Sequence, residues 1–117
     1  MSSSTGKNVF MFFVSFISTG PPDAPCVTNI TVDGRKCSLQ WTKPYNGESP
    51  IVKYTVYIWV QGKKEWVKSW NTTKLNYTLD LEWAQNYTES VTAWNRYGES
   101  SLGLERNFTT GQVPQGI

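Results

Sequence analysis

The sequence predicts an all-β chain, an antiparallel β-sandwich of seven strands in two sheets, and three observations carry that prediction. After Pro25, apolar and polar residues alternate with period two over one stretch after another. Turn-forming clusters separate the stretches, at Asp33-Gly34, Asn46-Gly47, Gln61-Gly62 and Tyr97-Gly98. No segment shows the 3.6-residue apolar period of an amphipathic helix.

The stretch Cys37-Ser38-Leu39-Gln40-Trp41 organises the rest. In an extended strand Cys37, Leu39 and Trp41 share one face and Ser38 and Gln40 the other. Burying the Trp41 ring withdraws roughly 200 Å² of apolar surface from water, worth several kcal/mol at about 25 cal/mol per Å². Thr42-Lys43-Pro44 ends the strand at once, so the ring sits where the chain turns.

At the start of the chain, Lys7 precedes a nine-residue apolar run, Val9 to Ile17. That pattern is similar to the charged and apolar regions of a secretory signal, although Pro21 would follow the cut at Ser18 to Gly20; a remnant of an upstream segment is the alternative. Residues 1–20 are therefore a signal-like or upstream segment. Pro21-Pro22-Asp23-Ala24-Pro25 reads as a stiff linker. Ile30 and Val32 share a strand face, Asp33 to Lys36 turn the chain, and the Trp41 strand follows. Tyr45 to Pro50 form a loop built on Asn46-Gly47. Ile51 to Val60 make a long strand, with Tyr54, Val56 and Ile58 on one face and Thr55, Tyr57 and Trp59 on the other.

Gln61 to Lys64 turn into a shorter strand around Trp66 and Val67, and Asn71 to Lys74 form a loop. Leu75, Tyr77, Leu79 and Leu81 alternate without a break; Tyr87, Val91 and Ala93 form another inward face. Asn95 to Gly98 turn into a last strand carrying Leu102, Leu104 and Phe108, and residues 112–117 read as a second linker. The predicted core is Leu39, Trp41, Tyr54, Val56, Leu79, Leu81, Tyr87, Val91 and Ala93. Glu89 falls on an inward position of its strand: either the strand twists it to the rim, which is the expectation, or it is a buried acid that needs a partner.

Cys26 and Cys37 allow one disulfide. With Asp33 to Lys36 as the turn, Val32 faces Cys37 and Cys26 lies about six residues further along, close to 20 Å away at about 3.3 Å per residue. A bridge tolerates Cα atoms less than about 7 Å apart, so it requires a broken or kinked first strand. Two small buried hydrophobic residues are the alternative.

Composition excludes several classes of function. The 117 residues suit one domain and two tails, and an aromatic share of 15% suffices to fill its core. A net charge of +2 on scattered basic residues is no nucleic-acid footprint. No apolar run is long enough for a membrane span. The chain has no histidine, which removes the commonest general base and metal ligand. Its nine carboxylates are spread out, Cys37 lacks an activating base, and no glycine-rich phosphate loop occurs. The expectation is a non-enzymatic protein with no cofactor and no metal.

Residues 21–111 resemble a fibronectin type III domain. The residues that carry the resemblance are Pro22-x-x-Pro25, Leu39-x-Trp41-x-x-Pro44, Asn46-Gly47-x-x-Pro50-Ile51-x-x-Tyr54-x-Val56 and Trp66. Leu81 with Tyr87 and Val91-x-Ala93-x-Asn95-x-x-Gly98-x-Ser100 continue it. The resemblance implies an immunoglobulin-like sandwich with a tyrosine corner at Leu81 and Tyr87. Trp83 departs from it, standing where the family usually has proline. Phe16-x-x-Thr19-Gly20-Pro21-Pro22 and Phe108-Thr109-Thr110-Gly111-x-Val113-Pro114 echo each other, as in tandem arrays of such domains. The Arg-Gly-Asp tripeptide of some members is missing, and Trp94-Asn95-Arg96-Tyr97-Gly98 stands where cytokine receptors carry a Trp-Ser-x-Trp-Ser box.

Two constellations bear on function. Asn29, Asn71, Asn76, Asn86 and Asn107 each begin an Asn-x-Thr acceptor triplet for N-linked glycans, where chance would give roughly one or two. Their middle residues at Ile30, Tyr77, Tyr87 and Phe108 point inward, which turns the asparagines outward; strands rich in outward threonine also generate such triplets unselected. The second constellation is aromatic. Tyr57, Trp59 and Trp94 share an outward parity, Trp66 and Trp70 are placed to join them, and Lys53, Lys68 and Arg106 lie near. Such a strip suits a protein interface or a stacked sugar, or else it is rings clad by lysine and arginine stems. With loop residues Asn46, Gly47 and Glu48, it forms the candidate contact surface. The reading is an extracellular interaction, adhesion or spacer module that meets a protein ligand or neighbouring domains. The alternatives are an intracellular repeat of the giant muscle-protein type, or a carbohydrate-binding module stacking sugars on Trp59 and Trp94.

Overall fold

The structure, a computed structural model, describes residues 19–114, so the signal-like run Val9 to Ile17 lies outside the described residues. Eight strands form two antiparallel sheets: β1 (Val27–Asp33), β2 (Lys36–Trp41), β3 (Lys53–Val60), β4 (Lys68–Thr72), β5 (Asn76–Asp80), β6 (Asn86–Asn95), β7 (Gly98–Glu99) and β8 (Arg106–Thr109). One sheet has the order β1-β2-β5; the other runs β4-β3-β6, with β7 and β8 both paired to the far side of β6. The eighth strand is the expected seventh cut in two. Regular pairing with β6 lapses after Glu99 and resumes at Arg106, and Leu102 and Leu104 stand exposed between the two pieces. Gly103 makes this path possible: its amide donates to the Val91 carbonyl at 3.2 Å, and a Cβ there would sit 2.6 Å from the Pro25 carbonyl oxygen.

Alternation places the core as expected. Leu39, Trp41, Tyr54, Val56, Leu79, Leu81, Tyr87, Val91 and Ala93 are all buried, together with Val27, Cys37 and Ile58. The Trp41 ring lies edge-on to Tyr54, centroids 5.6 Å apart, and Phe108 stacks on Tyr87 at 5.8 Å. The β1–β2 hairpin turns through Gly34 at φ +64°, a value that favours glycine, and Val32 pairs with Cys37 as the turn demands. Cys37 is buried and Cys26 exposed, both as free thiols.

Three expectations need correction. Pro21 to Pro25 are not a free linker. Pro22 and Pro25 are buried, the Asp23 amide donates to the Tyr45 carbonyl at 2.9 Å, and the Gly20 amide donates to the Gly47 carbonyl at 3.2 Å. The strand expected around Trp66 and Val67 begins later. Lys64–Trp66 form a single 3-10 turn and Lys68–Thr72 the strand, which puts Asn71 on a strand instead of in a loop. Glu89 is not at the rim: it is fully buried. It pairs with Ile58 on β3 and with Arg106 on β8, so strands on both sides hold it inward.

The turn between β5 and β6 is tied by Tyr87, whose hydroxyl accepts from the Glu82 amide at 3.0 Å while Leu81 packs beneath. Trp83 lies against Gly34, where an added Cβ would come within 3.3 Å of the ring. Tyr87→Phe keeps the ring and orphans that amide, so the urea midpoint should fall by an amount corresponding to about 1 kcal/mol. An unchanged midpoint would show that water replaces the bond.

Candidate interaction surface

The outer face of the five-stranded sheet gathers most of the residues singled out for contact. Register builds it in rows. Lys53, Trp94 and Glu99 face one another across β3, β6 and β7, and Asn71, Thr55 and Thr92 form the next row. Then come Ser69, Tyr57 and Ser90, and after them Trp59, Thr88 and Asn107. Side-chain bonds stitch the rows together. Trp94 Nε1 donates to Thr55 Oγ1 at 2.8 Å, and Thr55 donates onward to Asn71 Oδ1 at 2.7 Å. Glu99 Oε2 accepts from Thr92 at 2.7 Å and from the Tyr57 hydroxyl. Burial and that bond to Glu99 push the Tyr57 phenol up to about 12, so it stays protonated and keeps donating at neutral pH.

The face is clad, not bare. Trp59 is only 4% exposed, which overturns its expected role as an open platform. The ammonium of Lys64, carried in by the 3-10 turn, lies 5.2 Å over the Trp59 ring and 3.2 Å from Glu105 Oε2. Lys53 lies 4.5 Å over the half-buried Trp94 ring. Between the 3-10 turn and the segment after β7 opens a cleft of about 300 Å³. Tyr57, Trp59, Thr92 and Glu99 line it together with the exposed Val67 and Leu102. It offers an apolar wall and a carboxylate already held by two donors, a combination that suits non-covalent recognition of a side chain.

The remaining contact candidates scatter. Trp66 is 63% exposed beside this face, with Lys63 4.7 Å over its ring. Trp70 pairs with Val56 and faces inward, tilted against Tyr77 at 6.4 Å, so it does not join the strip. Arg106 sends its guanidinium to the Val27 carbonyl at 2.7 Å. Asn46, Gly47 and Glu48 lie at the opposite end of the sandwich. Gly47 is buried at φ +70°, and a Cβ there would meet the Gly20 carbonyl oxygen at 2.2 Å, so this glycine shapes the loop and offers no contact. Asn46 is held by its carbonyl, which accepts from Asn95, and Glu48 by the Tyr45 hydroxyl at 2.7 Å. Sequence reasoning passed over Thr92 and Glu99. Outward parity beside Trp94 was the available signal for Glu99, and no local signal pointed to Lys64 or Leu102, which arrive from turns.

All five acceptor asparagines are exposed. Asn71, Asn107 and Asn86 each accept a hydroxyl proton on Oδ1 at 2.7 Å, from Thr55, Thr88 and Thr109. Among the described residues no group of three or more metal-binding side chains occurs, and no helix is long and apolar enough to cross a membrane.

The fibronectin type III domain family matches residues 20–109. Two relatives are each 30% identical to the chain. The human phosphatidylinositol phosphatase PTPRQ aligns over 73% of the chain and 4% of its own length, and the chicken cell adhesion molecule DSCAM over 80% and 5%. The chain thus spans a small fraction of either relative. Among solved structures, a fibronectin type III domain of human contactin 1 superposes with TM-score 0.71 at 20% identity, over 83% of the chain and 84% of that domain. Domains A168–A170 of titin superpose with TM-score 0.63 at 24% identity, over 81% of the chain and 33% of theirs. The strand order, the tied Tyr87 and a match running from residue 20 to residue 109 agree: this chain belongs to the fibronectin type III domain family.

Proposed function

We propose that this chain is an extracellular module of a larger surface protein, acting in adhesion or as a spacer by non-covalent contact and not by catalysis. One observation carries the reading. Each of the five asparagines in an acceptor triplet is exposed, whereas the two described asparagines outside such triplets are not: Asn95 is buried and Asn46 half-buried. Exposure of the asparagine is what attachment of a glycan requires, and every acceptor meets it. That one relative, DSCAM, is named as a cell adhesion molecule supports the reading. The partner-facing surface is the cleft beside Tyr57 and Glu99 with its rim of Val67 and Leu102; Trp94 stands next to Glu99 in the same row of the face.

Native material tests the reading. Digestion of the chain from its natural source with N-glycosidase, followed by peptide mass mapping, should convert asparagine to aspartate at one or more of Asn29, Asn71, Asn76, Asn86 and Asn107. Unmodified asparagine at all five would overturn the extracellular assignment and favour the intracellular repeat, for which titin stands as a fold neighbour.

A further inference from the structure

Four of the five strands that end a sheet carry one acceptor asparagine each, the exception being the two-residue β7. β1 carries Asn29, β5 carries Asn76, β4 carries Asn71 and β8 carries Asn107. The fifth, Asn86, opens the internal strand β6. A sheet edge offers a row of backbone donors and acceptors to any other strand, and proteins usually blunt it with lysine, proline or a bulge. Here the three-stranded sheet lacks most of that protection. From Val27 to Val32 β1 holds no charge and no proline, and neither does β5 from Asn76 to Leu79. A bulge between Val27 and Asn29 and the bond from Arg106 to the Val27 carbonyl shield only the first residues of β1. Short, uncharged, β-prone runs of this kind are the ones that pair between molecules.

The acceptors on this sheet also fall into register. Asn29, Gln40 and Asn76 form one row across β1, β2 and β5, and Thr31, Ser38 and Thr78 the next. Asn29 and Asn76 therefore flank Gln40, two strand spacings or about 10 Å apart. A shallow polar depression lies between them. Among the described residues, no acceptor asparagine spends its Nδ2 on a protein partner. Where Asn71 and Asn107 are bonded, it is through Oδ1, which leaves the nitrogen that takes the sugar free. Asn95 differs, donating from Nδ2 to two carbonyls at 2.7 Å.

We propose that N-linked glycans on Asn29, Asn71, Asn76 and Asn107 close the sheet edges on which they stand against strand pairing, those on Asn71 and Asn107 flanking the face that bears the cleft. The proposal rests on the extracellular reading. The co-reactant is an oligosaccharide joined to a lipid through pyrophosphate. The asparagine Nδ2 forms a bond to the anomeric carbon, the bond from that carbon to the pyrophosphate oxygen breaks, the lipid pyrophosphate leaves, and the amide gives up one proton. A branched sugar at each edge then fills the space a second strand would need.

The test uses the full chain sent through the secretory pathway of cultured mammalian cells, which separates it from the question of where the native chain resides. Peptide mapping should find sugar at all four edge asparagines, and sedimentation should find a monomer. Asn→Gln at the four together should raise the weight-average mass at about 100 µM by ~1.5-fold or more, whereas Asn86→Gln should leave it unchanged. Trimming the folded glycoprotein to one sugar per site gives the same comparison without relying on the quadruple variant to fold, and it should shorten the time to aggregation several-fold. A trimmed protein that stays monomeric and aggregates no faster overturns the edge role, as does an empty site at both Asn29 and Asn76.

Discussion

Trp41→Ala should cost about 3–5 kcal/mol, the range for deleting a buried large aromatic. That is about a fifth or more of the roughly 5–15 kcal/mol by which a domain of this size is stable. Trp41 is 2% exposed and joins the two sheets. Its backbone amide donates to the Leu75 carbonyl at 3.0 Å, its strand partner is Val27, and its ring meets the edge of Tyr54 on the opposite sheet. Removing the indole opens a void flanked by both layers, which the strands cannot collapse without breaking register. The urea midpoint should fall by about 2 M, taking roughly 1–3 kcal/mol per M as the denaturant slope. Trp41→Phe should cost clearly less, because Nε1 has no hydrogen-bond partner in the core and its loss leaves nothing orphaned. Equal losses for the two variants would mean that ring volume is not what holds the sheets together.

How far such packing is legible in sequence depends on the range over which it is decided. Strand faces follow from period-two alternation alone, so Trp41, Val56, Val91 and the pairing of Val32 with Cys37 were readable from neighbouring residues. Alternation says which way a side chain points but not whether something lies on top of it. Trp59 points outward as its parity demands, yet it is buried because Lys64 arrives from a turn whose 3-10 conformation has no signature in Lys63-Lys64-Glu65-Trp66. The same holds at the end of the chain. Leu102 and Leu104 continue an alternating pattern, but Gly103 passes under the Pro25 carbonyl, and the strand breaks around them. Pro22 and Pro25 forbid helix and central strand locally, whereas the bonds that fix their segment reach the distant Tyr45 to Gly47 loop. The acceptor triplets were legible as a motif, but their placement on the sheet edges required the strand order.

Glu89 is where alternation and solvation disagree most. Both carboxylate oxygens are buried with no hydrogen-bond partner. Burial pushes the carboxyl up to about 7, against a smaller pull downward from the Arg106 guanidinium on the neighbouring strand. Across the core, the Cys37 thiol is itself pushed up to about 12, first by burial and then by the Glu89 charge, so it stays neutral and adds no second negative charge beside Glu89. The folded chain therefore holds a proton on Glu89 that the unfolded chain releases near pH 4.5. Stability from this group is complete below about pH 4.5 and is lost as pH rises through about 7. Between pH 5 and pH 8 the loss should come to about 2–3 kcal/mol, on the order of 10 °C in Tm for a domain of this size. Glu89→Met, which keeps the volume and removes the charge, should flatten that slope and raise Tm at pH 8, while changing it little at pH 5. A wild-type protein whose Tm does not fall from pH 5 to pH 8, or a Glu89→Met variant with the wild-type slope, would mean that the carboxylate finds in the folded chain a partner equal to water.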